Sequence, residues 1–307
     1  MRSARYTRRL DELSGAGVGT VGGKAASLGA LAAAGLPVPE GFVLTVAAFA
    51  DATASASAGT AAATPSVTPD VRRELAEGYR GLGPGDPSVA VRSSAVDEDG
   101  VRASFAGQHE TLLGVRGEDA VVAAVERVWA SLRSERADAY RRWHGREAPP
   151  GIAVVVQRLV EAEAAGVMFS ADPRSGDPGR VLIEAAWGLG QAVVDGLVTP
   201  DRFLLEKASG RRVEVQVAEK DRMTVSGDAR TEVVEVPAAR RRLPCLSAVD
   251  LEQLVALARR IEEVLGRPAD VEWAIDRSRR VHVLQARPIT TIPAGSAERQ
   301  QALAGSA

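Results

Sequence analysis

Two runs near the end of the chain, DVEWAID (270–276) and VHVLQAR (281–287), alternate apolar and polar residues around the four residues Arg277 to Arg280. Alternation of this kind is the pattern of a strand with two unlike faces, and two such runs about a short turn make an antiparallel hairpin. Pairing Asp276 with Val281 sets Glu272 opposite Gln285 and Asp270 opposite Arg287. Successive side chains point to opposite faces. Asp270, Glu272, Gln285 and Arg287 therefore share one face, and Val271, Trp273 and Ile275 take the other. The polar face has two readings. Carboxylates with an amide oxygen suit a hard cation such as Mg²⁺, and a guanidinium suits phosphate oxygens. The same residues also suit a solvated sheet face with a cross-strand ion pair.

The rest of the chain divides by texture. Val18 to Gly35 reads VGTVGGKAASLGALAAAG, a helix with Leu28 and Leu31 on one face, stopped by Gly35 and Pro37; Lys24 falls in its first turn behind a glycine pair. A strand is expected at Phe42 to Leu44, then a short helix running into an Ala/Ser/Thr-rich mobile loop up to residue 68. The spacing predicts a strand over Ser88 to Arg92 that opens into a polar loop, and one amphipathic helix over 119–143. From Ile152 onward short β-rich runs dominate: IAVVVQRLV, GVMFS, RVLIEAAWG, DRFLLEK and RRVEVQV. A helix over 248–265, ended by Gly266, precedes the hairpin. The plan is α+β, with a first lobe over 1–156, a strand-rich second lobe over 157–293, and a tail over 294–307 that reads as disordered.

Composition narrows the function classes. A length of 307 residues accommodates two domains of ordinary size. Lys plus Arg is 38 against 40 Asp plus Glu, a net charge of -2, which argues against a chain devoted to coating nucleic acid or an anionic membrane. There is no run of about 20 apolar residues to span a bilayer, and no apolar stretch after the charged N-terminus. A single cysteine, Cys245, excludes an internal disulfide and a cysteine-based zinc site. These features predict a soluble cytoplasmic protein.

Several segments carry residues suited to an anionic ligand. Gly22-Gly23-Lys24 lets backbone approach an anion at a helix start, where the lysine adds a point charge, although it is not the GxxxxGK[ST] pattern and also fits a plain surface turn. In VAVRSSAVDEDG, Arg92 could grip phosphate while Ser93 and Ser94 cap or bind; the alternative is a polar turn. SFAGQHET (104–111) is a small-residue loop centred on Gly107 that could fold over a nucleotide or be an ordinary loop, and His109 within it lacks any zinc-ligand spacing. WGLGQAVVDGLVTPDRF (187–203) is a glycine-rich turn returning to a strand. Gln157, ending IAVVVQ, is a polar group where two lobes would meet and a purine could stack.

Taken in order, VGGKAASLGALAAAGLPVPEGFVLT, VAVRSSAVDEDG, SFAGQHETLLGV, VVVQRLV, GVMFSADP, WGLGQAVVDGLVTPDRF and DVEWAID…VHVLQARPIT resemble the N-terminal nucleotide-binding region of pyruvate phosphate dikinase, phosphoenolpyruvate synthase and rifampin phosphotransferase, over roughly residues 10 to 292. The resemblance implies an ATP-grasp fold of two lobes with ATP and Mg²⁺ held between them. It implies that Lys24 and Arg92 hold ATP phosphates and that Gly107 and Thr111 lie in a loop closing over them. Gln157 and the backbone of Leu159 would border the adenine, Glu272 and Gln285 would ligate Mg²⁺ with Asp270 beside them, and Arg287 would stabilise the transferring phosphoryl group. Lys24, Arg92 and Arg287 would be the catalytic set. On this reading the hairpin's polar face is a site rather than a solvated surface.

Three positions depart from the family pattern: Ala30 where Glu is usual, His109 for Gln, and Gln191 for Glu, the last removing an acidic contact near the site. None of His109, His144 and His282 lies in a small-residue phosphohistidine loop. The implied function is an ATP-dependent phosphotransferase of dikinase type. It passes a phosphoryl group to a carrier histidine on another domain or chain, and on to a small-molecule acceptor, with ATP ending as AMP and phosphate. The alternatives are a self-contained kinase or ligase acting directly on its acceptor, and a nucleotide-binding regulatory module.

Overall fold

A computed structural model describes residues 4–57, 65–96, 111–131, 151–227 and 230–289. The described residues form two compact units. The first takes the described residues within 1–33, 39–159 and 227–231, and the second those within 34–38, 160–226 and 232–307. Gln157 to Leu159 thus group with the first unit, three residues beyond the expected division, and a short segment after the first helix belongs to the second.

The first unit is a five-stranded sheet in the order β1-β2-β5-β3-β4, built from β1 (Thr7–Arg9), β2 (Gly41–Leu44), β3 (Val89–Ala95), β4 (Thr111–Val115) and β5 (Ile152–Arg158). One face is covered by α2 (Val46–Ser57), α3 (Pro69–Arg80) and α4 (Glu118–Ser131), which bury Phe49, Leu75, Val125 and Trp129 against Val89, Val91, Val154 and Val156. The opposite face carries α1 (Val18–Ala33), whose Val21, Ala25, Leu28 and Leu31 are buried. The strand expected at Ser88 to Arg92 runs on to Ala95, so Ser93 and Ser94 lie in a fully buried strand rather than a polar loop. The strands β1 and β4 carry no clear alternation and were not expected. The helix expected over 119–143 is seen over 118–131, and its remainder lies outside the described residues, as do Gly107, His109, His144 and the tail over 294–307.

The second unit is a six-stranded antiparallel sheet in the order β13-β12-β6-β7-β8-β9. Its strands are β6 (Ala162–Phe169), β7 (Arg180–Trp187), β8 (Asp201–Glu206), β9 (Arg212–Gln216), β12 (Ala269–Asp276) and β13 (Val281–Pro288). A separate ribbon pairs β10 (Arg222–Ser226) with β11 (Thr231–Glu235), two short and largely polar strands that the pattern did not reveal. Helix α6 (Ala248–Leu265) packs on β12 and β13 and buries Leu254, Val255, Ala258 and Ile261. Its ends follow from sequence: Ser247 and Asp250 form a reciprocal capping box, and Gly266 terminates the helix in the left-handed region at φ 69°. Among the described residues no helix is long and apolar enough to cross a membrane.

The expected pairing of Asp276 with Val281 does not form. Ile275 pairs with Val281, and one extra residue, Leu284, bulges between the Glu272–Gln285 and Trp273–Val283 pairs. The bulge recovers the residue lost at the turn, so Glu272–Gln285 and Asp270–Arg287 pair as expected. The turn itself is held by Asp276. Its Oδ1 accepts the backbone N–H groups of Ser278 at 2.8 Å and Arg280 at 3.1 Å, and its Oδ2 lies 3.0 Å from both Arg280 Nε and His282 Nε2.

A second polar anchor is fully buried. Asp201 Oδ1 accepts from Lys220 Nζ and from the Ala218 N–H at 2.9 Å, while Oδ2 accepts the Cys245 N–H at 2.9 Å; both side chains of the ion pair have no exposed surface. Lys220 Nζ also donates to Ala218 O at 2.8 Å. Burial, reinforced by the nearby Asp201 charge, pushes the Cys245 thiol well up.

Partial burial works to raise the Asp276 carboxyl, but the hydrogen bonds from His282, Arg280 and Ser278 outweigh it and hold the pKa at about 2, against an ordinary 3.8. A depressed carboxylate stabilises the fold above its unfolded pKa and loses that contribution as pH falls from about 4 towards 2, at most about 2 kcal/mol. Wild type should therefore lose urea resistance over that interval, and Asp276→Asn should flatten the decline; parallel curves for the two proteins would contradict it. Lys220→Met should cost about 3 kcal/mol by leaving the Asp201 charge buried without its cation, read as a lowered denaturation midpoint. A change under 1 kcal/mol would show that the two backbone N–H groups suffice.

Candidate functional site

In the first unit the functional side chains gather on the face that carries α1. Gly22 has φ 74° and ψ 167°, which breaks the helix and restarts it at Gly23, so Lys24 stands in the first turn of the continuing segment as the sequence indicates. Strand alternation places Arg92 and Ser94 of β3 on this same face, and Ser94 reaches α1 directly. Arg92 pairs across the ladder with Thr111 on β4 and Val155 on β5, and Ala90 pairs with Gln157. Lys24, Arg92, Thr111 and Gln157 are thereby brought to one side of one sheet. Arg92 is 8% exposed and Gln157 1% exposed. The Gln157 amide donates to Pro39 O at 3.4 Å. The Leu159 N–H is committed to Ser88 O at 2.8 Å, so any base-edge contact from Leu159 falls to its carbonyl. Gly107 lies outside the described residues.

In the second unit one row of pairs crosses the sheet: Gln285 opposite Glu272, Glu272 opposite Val167, Val167 opposite Glu184, and Glu184 opposite Arg202. A parallel row joins Arg287, Asp270 and Phe169. All of these side chains except Arg202 line a pocket of about 220 Å³ together with Val193 and Val194 of a short helix, α5 (Gln191–Val194). The polar face of the hairpin is therefore the floor of a concavity, while Val271, Trp273 and Ile275 on the other face are completely buried.

The charges in this pocket are held by specific partners. Arg287 donates through Nε to Asp270 Oδ2 at 2.9 Å, with Nη2 at 2.8 Å from the same oxygen. Burial pushes the Asp270 carboxyl up; the Arg287 guanidinium draws it back down and the Glu272 carboxylate adds to the rise. Glu184 Oε1 accepts from Arg202 Nε at 3.0 Å and Nη2 at 2.8 Å. Glu184, Phe169 and Val194 are pocket residues that the sequence reading missed. The available signal was a lone carboxylate in the apolar run VLIEAAW. Gln191 is not among the lining residues, and its amide donates to Asp195 at 3.0 Å.

Among the described residues no three His, Cys, Asp or Glu side chains form a metal cage. Glu272 and Gln285 supply two hard oxygen donors directly opposite each other, which fits a cation that takes its remaining ligands from water or phosphate, as Mg²⁺ does.

The family model for the pyruvate phosphate dikinase AMP/ATP-binding domain matches residues 18–305. A prodigiosin synthesizing transferase of Serratia marcescens is 42% identical over 88% of this chain and 32% of its own length. A probable phosphoenolpyruvate synthase of Methanothermobacter thermautotrophicus is 39% identical over 95% of this chain and 47% of its own length. A rifampicin phosphotransferase of Streptomyces sviceus is 36% identical over 94% of this chain and 36% of its own length. The chain thus spans between about a third and a half of the length of these relatives. With one family model covering nearly every residue from the first helix onward, the chain belongs to the pyruvate phosphate dikinase AMP/ATP-binding domain family.

Proposed function

We propose that the chain binds ATP with Mg²⁺ and begins an ATP-dependent phosphoryl transfer. The group passes to a carrier histidine on another domain or chain and then to a small-molecule acceptor, with ATP ending as AMP and phosphate. The observation that carries this reading is the pocket floor of the second unit, where a carboxylate and an amide oxygen face each other beside an arginine–carboxylate pair. The family's AMP/ATP-binding description and relatives named as a phosphoenolpyruvate synthase and a rifampicin phosphotransferase support it.

In this reading Lys24 and Arg92 neutralise phosphate oxygens, and Thr111 lies across from Arg92 on β4. Gln157 and the Leu159 carbonyl border the adenine. Glu272 and Gln285 hold Mg²⁺, with Asp270 next to them. Mg²⁺ supplies charge neutralisation on the phosphates. The protein's task is positioning: phosphoryl transfer needs donors set where charge develops, in a site with little water. Arg287 suits that task because a guanidinium can hold a carboxylate with one edge and present donors on another.

Mg²⁺·ATP should raise the melting temperature by mass-action linkage, and Glu272→Ala should abolish most of the Mg²⁺-dependent turnover while leaving the unliganded melting temperature nearly unchanged. Calorimetry without heat at millimolar nucleotide, or an active Glu272→Ala protein, would remove the basis of the reading.

Arg287→Lys separates catalysis from a structural ion pair. Loss of a donor aimed at the developing charge should lower kcat by roughly a hundredfold or more while ATP affinity falls much less. A residue serving only as a half-exposed partner of Asp270 would cost about 1 kcal/mol of stability at most and spare turnover. Initial rates of AMP formation, measured with a histidine-carrying partner present and set beside ATP dissociation constants, decide between them.

A further inference from the structure

Gly22 is the residue at which α1 stops and restarts, and it stands where a helix ordinarily has a capping side chain. Glycine has none, yet the break is not left without a cap. Ala25, three residues on, donates its backbone N–H to Ser94 Oγ at 3.1 Å, and Ser94 Oγ donates to Val21 O at 2.9 Å. One hydroxyl thus satisfies the last carbonyl before the break and an orphan N–H after it, which is the work of an N-cap carried out by a strand far away in sequence. Ser94 has no exposed surface, so neither bond competes with water. The approach is close enough to exclude any side chain at the break: a Cβ on Gly22 would lie 2.0 Å from Ser94 O and 2.4 Å from Ser94 Oγ. Lys24 lies between the two residues that Ser94 ties, and Arg92 lies two residues before Ser94 on the same face of β3.

We infer that Ser94 is a positioning residue: it caps α1 in trans, and so fixes Lys24 against β3 at a set distance from Arg92. This rests on the reading that Lys24 and Arg92 hold ATP phosphates. It adds that one buried hydroxyl ties the turn that bears Lys24 to the strand that bears Arg92. Removing that hydroxyl lets the first turn of the continuing helix fray, and a lysine on a frayed turn spends its flexibility before it meets an anion.

The test is a double-mutant cycle on Mg²⁺·ATP binding, with wild type, Ser94→Ala, Lys24→Met and the double variant in the full chain. Ser94→Ala should weaken ATP binding about tenfold, whereas in the Lys24→Met background the same change should have almost no further effect, because its route to the ligand is gone. Amide exchange without nucleotide should quicken at Lys24 to Leu28 in Ser94→Ala, and Ser94→Cys, a weaker acceptor of nearly the same size, should fall between the two. Should Ser94→Ala fail to fold, Ser94→Cys carries the cycle. Equal losses in both backgrounds, unchanged affinity, or unchanged exchange would each overturn the positioning role. Wild type that shows no ATP binding, with Ser94→Ala still quickening exchange, would instead overturn the nucleotide reading and with it the link from Ser94 to phosphate.

Discussion

One bulged residue in the last strand, Leu284, decides what the second unit can do. From the turn, Ile275 meets Val281, and continuing that register without interruption would set Glu272 opposite Leu284 and Asp270 opposite Ala286. Gln285 and Arg287 would then face the apolar layer under α6, because a one-residue slip moves every side chain of a strand to the other face. The bulge at Leu284 prevents this. It lets the strand satisfy two constraints that a regular ladder cannot meet together: Val281 and Val283 packed with Ile275 and Trp273 near the turn, and Gln285 and Arg287 turned to the pocket further along. Bulges of this kind re-aim side chains, and here the re-aimed pair is the polar half of the proposed site.

The first unit reaches its site by a different route, through polar groups buried in the interior of a sheet. Arg92, Ser93 and Ser94 occupy consecutive positions of β3, a strand with neighbours on both sides, and all three are nearly or wholly inaccessible. Such burial is unfavourable unless each group finds a partner. Ser94 does so by capping α1, which ties the strand to the helix that bears Lys24. The same two hydrogen bonds thus serve stability and, on the proposed function, site geometry, as the fixed anchors Asp201 and Asp276 set the frame of the second unit.

How much of this could be read from sequence follows from the kind of signal each element leaves. The hairpin, α6 and the long strands are amphipathic over many residues, and alternation or helical spacing exposes them. Short polar strands such as β10 and β11 have no face to bury and leave no pattern. β1 and β4 are defined by the partners they pair with, not by their own residues. The pocket floor at Asp270, Glu272, Gln285 and Arg287 was legible because the bulge offsets the one-residue error in the register near the turn and leaves both pairs as read. Glu184 was not, because its place beside Glu272 depends on β6 lying between β7 and β12, a topology that no local pattern encodes. Ser94 was read as part of a polar loop for a related reason. Its role depends on a glycine break in α1, and only the fold brings the two together.

The two arginines proposed for catalysis differ in a way that bears on their parts. Arg92 is almost fully buried on an interior strand of a sheet, so it has little freedom to give up on binding. Arg287 is on an outer strand, with its side chain 44% exposed and its partner Asp270 only 16% exposed. In that pair the carboxylate is the fixed member and the guanidinium the adjustable one. A rigid cation suits an anion present throughout the reaction, since it gains nothing from moving. A tethered but adjustable cation suits charge that appears only as a group is transferred, because it can tighten onto that charge without first losing its orientation. On the proposed function, holding ATP falls to the deeper-set arginine and stabilising the moving phosphoryl group to the more exposed one.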